Sequence, residues 1–226
     1  MLTIVQTADG SNTIYNPQVG ENYHSKHGAL QESMHVFVNS GLQYFLDRTE
    51  DLKKPVSILE VGFGTGLNFL LSADLCDQKQ ITLNYTGIEA YPLTAEMIGQ
   101  TGYEQYISAE LWQQFNTQYP GALKGEMTIN PSCKLQIANC SLLHFQSTQQ
   151  YDIIYFDAFA AAYQPEMWNE AAIGHTIKYL KPGGVFVTYA ITGNLERAVK
   201  ALGCKVEKAP GAPGKREMLR AVKQDR

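Results

Sequence analysis

Three acidic residues stand at the ends of three apolar runs, and their spacing is where chemistry can be read first. Glu60 closes the run "VSILEV" and opens the pattern Glu60-x-Gly62-x-Gly64-x-Gly66. Glu89 closes a second run, "YTGIEA", 23 residues after Gly66, and Asp157 closes a third, "YDIIYFDAF". A strand, a glycine-rich turn and a helix form a nucleotide-type site, because glycine tolerates positive φ and lets a ligand approach the main chain. The glycines fall at i, i+2 and i+4, whereas a dinucleotide fingerprint needs i, i+2 and i+5. A carboxylate at Glu60 would repel a pyrophosphate but would suit a cation. S-adenosylmethionine carries both a sulfonium and an ammonium, so the pattern points to that methyl donor rather than to NAD or ATP. Glu89 is placed to accept both ribose hydroxyls. Asn139, at the end of a further strand, stands where adenine would be read. Asp157 would face the methyl acceptor, with a helix N-cap as its plainer role.

These residues need a scaffold, and the hydrophobic periodicity supplies one. Apolar residues at Leu30, Met34, Phe37, Val38, Leu42 and Phe45 predict a helix from Gly28 to Leu46. Short β-branched runs then alternate with helical stretches: strands at "VSILEVG", "ITLNYTGIEA", "CKLQIANC", "YDIIYFDAF" and "GGVFVTYA", and a helix opened by Pro92 after the second of them. A helix from about Trp168 to Leu180 precedes the fifth strand, and "NLERAVKALGCKVEKA" gives a helix, a stop at Gly203 and one more strand. The alternation predicts an α/β chain with a mostly parallel sheet. In such sheets ligands sit beyond the carboxyl ends of the strands. Residues 1–54 read as an N-terminal cap of hairpin and helix that contributes to the substrate pocket. Residues 55–226 read as the methyltransferase domain, with an insertion at about 99–131.

The 226 residues, 44% hydrophobic and 18% charged, can bury a sizeable core. No apolar run is long enough to span a membrane, and the start "MLTIVQTADGSNTIY" lacks the form of a signal peptide. Four cysteines without CxxC spacing argue against a disulfide framework and a zinc site. His24, His27 and His35 have no carboxylate or cysteine at a metal-binding spacing. The expectation is a reduced, cytoplasmic protein without a metal. The net charge is −4, yet residues 178–226 hold eleven basic residues against four acidic. That basic segment is either a solvated face or a footprint for a phosphate backbone.

Taken together, the motifs resemble the methyltransferase domain of MnmC-type enzymes, called MnmD when it stands alone. Tyr23, Ser25, Gly28 and Glu32 in "YHSKHGALQESMHVF" are similar to the family's N-terminal pattern. "ILEVGFGTGLNFL", with Phe63 and Asn68, is similar to its donor loop. Asp157, Phe159, Pro165, Glu166 and Trp168 in "DAFAAAYQPEMW" resemble its central motif, and Gly211, Gly214, Lys215, Arg216 and Met218 resemble its ending. Ala161 stands where the family has proline, and Asn139 where it commonly has an acidic residue.

The resemblance implies the Rossmann-like class I S-adenosylmethionine-dependent methyltransferase fold, its mostly parallel sheet seven-stranded with helices on both faces. The activity it implies is methylation of the amino group of 5-aminomethyl-2-thiouridine at the tRNA wobble position, giving 5-methylaminomethyl-2-thiouridine. It implies catalysis by Asp157 and Phe159, the latter stacking on the uracil or walling the pocket, with ordinary core packing as its other reading. Glu60, Gly62, Phe63, Gly64, Gly66, Asn68, Glu89 and Asn139 would then hold S-adenosylmethionine. Tyr23, Ser25, Glu32, Lys215 and Arg216 would hold the substrate, Lys215 and Arg216 on phosphates of the anticodon loop. No FAD-dependent oxidase half is expected, so another enzyme would supply the free aminomethyl group. A small-molecule or protein methyltransferase on the same fold is the alternative, and a non-catalytic S-adenosylmethionine-binding protein is a third reading.

Overall fold

The computed structural model describes residues 1–225. Strands β4 (Val56–Val61), β5 (Leu83–Ile88), β7 (Cys133–Ala138), β8 (Tyr151–Phe156) and β9 (Leu180–Thr188) are its centre. All six residues of β4 are buried, as expected for a parallel strand covered on both faces. β4 pairs in parallel with β5 and β8, β5 with β7, and β8 with β9. The edges are antiparallel: β6 (Met127–Asn130) on β7, and the hairpin of β10 (Cys204–Pro210) and β11 (Glu217–Lys223) beside β9.

The full order is β10-β11-β9-β8-β4-β5-β7-β6. This makes eight strands where seven were expected. Six of them are placed by the sequence and two are not: β11, and β6, which lies in the segment expected as an insertion, whose polar Tyr and Gln content hides both it and the helix Ala109–Ala122 before it.

Helices cover both faces. Leu67–Gln78 carries eight buried residues, and its first turn follows Gly66, which takes a left-handed conformation. Two helical expectations need correcting. The helix after β5 is Ala95–Gly99, capped by Thr94, so Pro92 lies in the preceding loop. The helix before β9 is Glu170–Ile177, capped by Asn169, with a single tight turn at Pro165–Trp168 ahead of it.

The N-terminal residues fold into a three-stranded antiparallel sheet, β1 (Thr3–Gln6), β2 (Asn12–Asn16) and β3 (Glu21–Asn22). A helix follows without a break through Ala29–Glu32, Ser33–Gln43 and Tyr44–Leu46; its middle turns are widened to π geometry. Val36, Phe37, Val38 and Leu42 of this helix share one apolar core with Ile58, Phe69, Tyr85 and Tyr155. Gly41 lets the helix rest on the sheet: a Cβ there would meet Tyr155 and Val187 at about 3 Å, tighter than side chains tolerate. The N-terminal segment is thereby fixed over the carboxyl ends of β8 and β9.

Candidate active site

Two cavities open at the carboxyl ends of the strands, and they share a wall. The first, of about 460 Å³, lies over the glycine loop and is lined by Gly62, Phe63, Gly64, Asn68, Glu89 and Asp157, among others. The second, of about 420 Å³, lies beneath the N-terminal segment and is lined by Glu21, Tyr23, Ser25, Glu32, Asp157 and Lys215, among others. Tyr23, His24, Asp157, Ala158 and Phe159 belong to both.

The loop after β4 is closely hemmed in by its protein neighbours. Gly62 has φ +84, and a Cβ on it would run into the backbone carbonyl of Asp157. A Cβ on Gly64 would meet the Tyr23 ring at 2.8 Å. The glycines therefore let β4, β8 and Tyr23 crowd together at the boundary between the cavities. Gly66 caps the following helix and stands off the cavity wall, and the Phe63 ring turns into the core against Phe69 and Tyr119.

Glu89 lies where it was expected. Its Oε2 accepts the Gly64 N–H at 2.9 Å and its Oε1 the Tyr91 N–H at 3.0 Å. Each oxygen keeps a lone pair for a further donor.

Glu60 is corrected. It is buried below the loop, off the cavity wall, with Oε1 accepting from Asn68 Nδ2 and Oε2 from the Tyr85 hydroxyl, both at 2.8 Å. Burial and then the neighbouring Asp157 push its carboxyl well up, favouring the neutral form. It supports Asn68 from beneath and does not face a cation in the cavity.

Asn139 is also corrected. It is exposed just past β7, and Cys140, Ser141 and Leu142 form that part of the wall instead. A bend after the strand decides which side chain turns inward, and strand periodicity carries no signal for it.

Asn68 joins the two acids. Its Nδ2 also donates to Asp157 Oδ2 at 2.8 Å. Its Oδ1 is buried and has no hydrogen-bond partner among the described residues. Burial first, then the Glu32 carboxylate, raise the Asp157 carboxyl to about 8, while the Asn68 hydrogen bond opposes the shift.

The loop after Asp157 is tied down despite Ala161. Trp168 Nε1 donates to the Phe159 carbonyl at 2.7 Å, Tyr189 hydroxyl to the Ala158 carbonyl at 2.9 Å, and the Ala160 N–H to Glu21 Oε2 at 2.9 Å. Phe159 packs edge-on against Tyr23, centroids 5.0 Å apart; both rings line the cavities, and Tyr23 also packs against the core.

In the second cavity Lys215 is not free for phosphates. Its Nζ lies 2.7 Å from Glu32 Oε1 and 3.7 Å from the centre of the Tyr189 ring. Glu32 Oε2 accepts the Ser25 N–H at 2.8 Å. Arg216 is exposed and off the cavity wall, and Arg220 pairs with Glu207 at 2.9 Å beneath the Tyr44 ring. His24 also faces both cavities; burial lowers its imidazole to about 4, so it is neutral.

Glu21 and Tyr189 were not anticipated. Glu21 lies two residues before the Tyr23 motif, in a loop-like stretch with no periodicity, and Tyr189 ends an apolar strand where an aromatic reads as core. Among the described residues, no group of three His, Cys, Asp or Glu side chains is arranged to hold a metal ion. No described helix is long and apolar enough to cross a membrane.

The first cavity fits S-adenosyl-L-methionine. Glu89 offers acceptors to ribose hydroxyls, and the orphaned Asn68 Oδ1 is an acceptor suited to the ammonium of the methionine moiety. Comparisons with known proteins agree with that chemistry.

The tRNA 5-methylaminomethyl-2-thiouridine biosynthesis bifunctional protein MnmC of Cupriavidus necator is 30% identical over 214 residues, covering 90% of this chain and 32% of that protein. Its namesake from Leptospira borgpetersenii is 29% identical over 208 residues, covering 87% and 31%. The chain thus spans about a third of the length of the curated relatives it matches.

Among solved structures, MNMC2 from Aquifex aeolicus superposes with a TM-score of 0.78 at 22% identity, covering 98% of this chain and 70% of that one. A putative class I S-adenosylmethionine-dependent methyltransferase from Listeria monocytogenes gives 0.51 at 19% identity, covering 88% and 64%. Both support the fold, and the class I arrangement of the sheet is the one described above.

The family model for S-adenosyl-L-methionine-dependent methyltransferases matches residues 106–224, more than half of the sequence, and the chain belongs to that family.

Proposed function

We propose that this chain transfers a methyl group from S-adenosyl-L-methionine to the amino group of 5-aminomethyl-2-thiouridine at the tRNA wobble position, giving 5-methylaminomethyl-2-thiouridine. The observation that carries the reading is the meeting of a donor cavity and an acidic acceptor cavity at one carboxyl group, Asp157. The relatives, which act in tRNA 5-methylaminomethyl-2-thiouridine biosynthesis, suggest the acceptor's identity, and the acidic lining supports an amine.

The donor supplies an electrophilic methyl group when bound. Glu89 and Asn68 would hold it, with Tyr23 and Phe159 lining the boundary between the two cavities. The acceptor nitrogen attacks only as the neutral amine, while an alkylammonium has a pKa of about 10 in water. Asp157 answers both needs. Its carboxyl, raised to about 8, stays largely protonated until an incoming ammonium favours its charged form and its own proton leaves to water, so that a carboxylate then stands beside the nitrogen as the base. It accepts an N–H, orients the lone pair and takes the proton. Asn68 holds its Oδ2 and leaves Oδ1 without a protein partner among the described residues. Phe159 and Tyr23 provide aromatic walls for a base turned out of its stack. Residues 1–54 serve as a cap that completes the acceptor cavity through Tyr23, Ser25 and Glu32, and residues 55–226 as the donor-binding methyltransferase domain.

The test is direct. Purified protein, labelled donor and tRNA from cells blocked at the aminomethyl step are combined, and the nucleosides are analysed by mass spectrometry. The methylaminomethyl nucleoside is expected; its absence with full donor binding refutes the acceptor assignment.

A further inference from the structure

Glu21 is the acidic residue of the acceptor cavity that no motif pointed to. It begins β3, the two-residue strand that turns the N-terminal sheet toward the Asp157 loop. Its Oε2 accepts the Ala160 N–H at 2.9 Å, three residues beyond Asp157. Its Oε1 has no protein partner among the described residues.

The other charged groups facing this space are committed or accounted for. Glu32 accepts from Ser25 on one oxygen and has its charge balanced by Lys215 on the other, and Lys215 is held between Glu32 and the Tyr189 ring. His24 is neutral. Lys26 and His27 line the cavity without a hydrogen bond to Glu21 among the described residues. Two carboxyl groups, each with one oxygen that has no partner among the described residues and neither in an ion pair, thus face the same space, Glu21 and Asp157; Glu21 acts on Asp157, and Glu32 and Lys215 act on both.

Burial disfavours charge on both groups, a cost that an apolar or neutral acceptor would not offset. A primary ammonium, with three donors, would satisfy both at once.

Resting on the acceptor proposed above, we infer that Glu21 is a second substrate-binding carboxylate, which holds the incoming amine with Asp157 and makes the cavity selective for an amine-bearing acceptor. The competing role is a tether whose only work is to fix Ala160. The two differ at one substitution. Glu21→Gln keeps an oxygen for the Ala160 N–H and removes the charge, whereas Glu21→Ala removes both.

The assay uses an anticodon stem-loop carrying 5-aminomethyl-2-thiouridine, with a 5-methyl-2-thiouridine stem-loop as the binding control. Wild type is expected to methylate the first and to bind it more tightly than the control. Glu21→Gln and Glu21→Ala should both lower kcat/KM at least tenfold, chiefly through KM, and abolish the preference over the control. Affinity for S-adenosylhomocysteine and the melting temperature of Glu21→Gln should stay at wild-type values. A Glu21→Gln variant that matches wild type in kcat/KM and in preference overturns the inference and leaves the tether. A wild type that neither methylates nor prefers the aminomethyl stem-loop overturns the acceptor assignment beneath it.

Discussion

The Lys215 ammonium lies 2.7 Å from Glu32 Oε1, and this pairing ties the last hairpin of the chain to its first helix across 183 residues. Glu32 is buried, its side chain 7% exposed, while that of Lys215 is 33% exposed. Removing the cation leaves a buried carboxylate without its charge partner. Lys215→Met should therefore destabilise the protein by about 2 kcal/mol, the partial exposure of Lys215 having been discounted. Adding Glu32→Gln to Lys215→Met should recover more than half of that loss in urea denaturation. Equal stability of Lys215→Met and wild type would show that the pair contributes nothing to the fold.

The glycine loop gives a steric expectation. Gly62→Ala must accommodate a φ of +84 and a methyl group against the Asp157 carbonyl. The combined strain should cost about 3 kcal/mol or more and displace the Asp157 loop. Denaturant midpoints check the first effect. A Gly62→Ala variant with wild-type stability would mean that β4 and β8 do not approach each other as described.

Asp157 should leave a signature in the pH dependence of stability. Its carboxyl is raised from the ordinary 3.8 to about 8 in the folded chain. Between those values the folded state binds more protons than the unfolded state, so this group's contribution falls as pH rises from about 4 to about 8. Asp157→Asn is neutral throughout and its carbonyl still accepts from Asn68. The variant should melt close to wild type at pH 5 and on the order of 5 °C higher at pH 8. A melting-temperature difference that is flat with pH would contradict the raised value.

Much of the fold was legible because β4, β5, β7, β8 and β9 are short apolar runs bounded by turn residues, and the helix after Gly66 is apolar on nearly every side. β6 was not legible: Met127–Asn130 is a four-residue edge strand with one buried residue, which carries no period. Glu89 and Asp157 line the cavities as their places at strand ends suggest, and Tyr23 and Glu32, which only the family resemblance singles out, line the acceptor cavity. Glu60 was misplaced by the same logic. A residue at a strand end can point to either face of the pleat, and here it points below the loop to Tyr85 and Asn68. The resemblance and the basic tail point Lys215 at phosphates, and neither can register a partner as distant in sequence as Glu32. Glu21 escaped because its placement depends on β3 crossing to Ala160, a tertiary relation with no local pattern.

The central claim is that the donor and acceptor cavities meet at Asp157 and that its carboxyl handles the acceptor's proton. The most direct measurement pairs calorimetric binding of S-adenosylhomocysteine with single-turnover methylation of the aminomethyl stem-loop, for wild type and Asp157→Asn. The account predicts donor-site affinity within about twofold and a methylation rate lowered by about a hundredfold or more. Methylation by Asp157→Asn at the wild-type rate would contradict it.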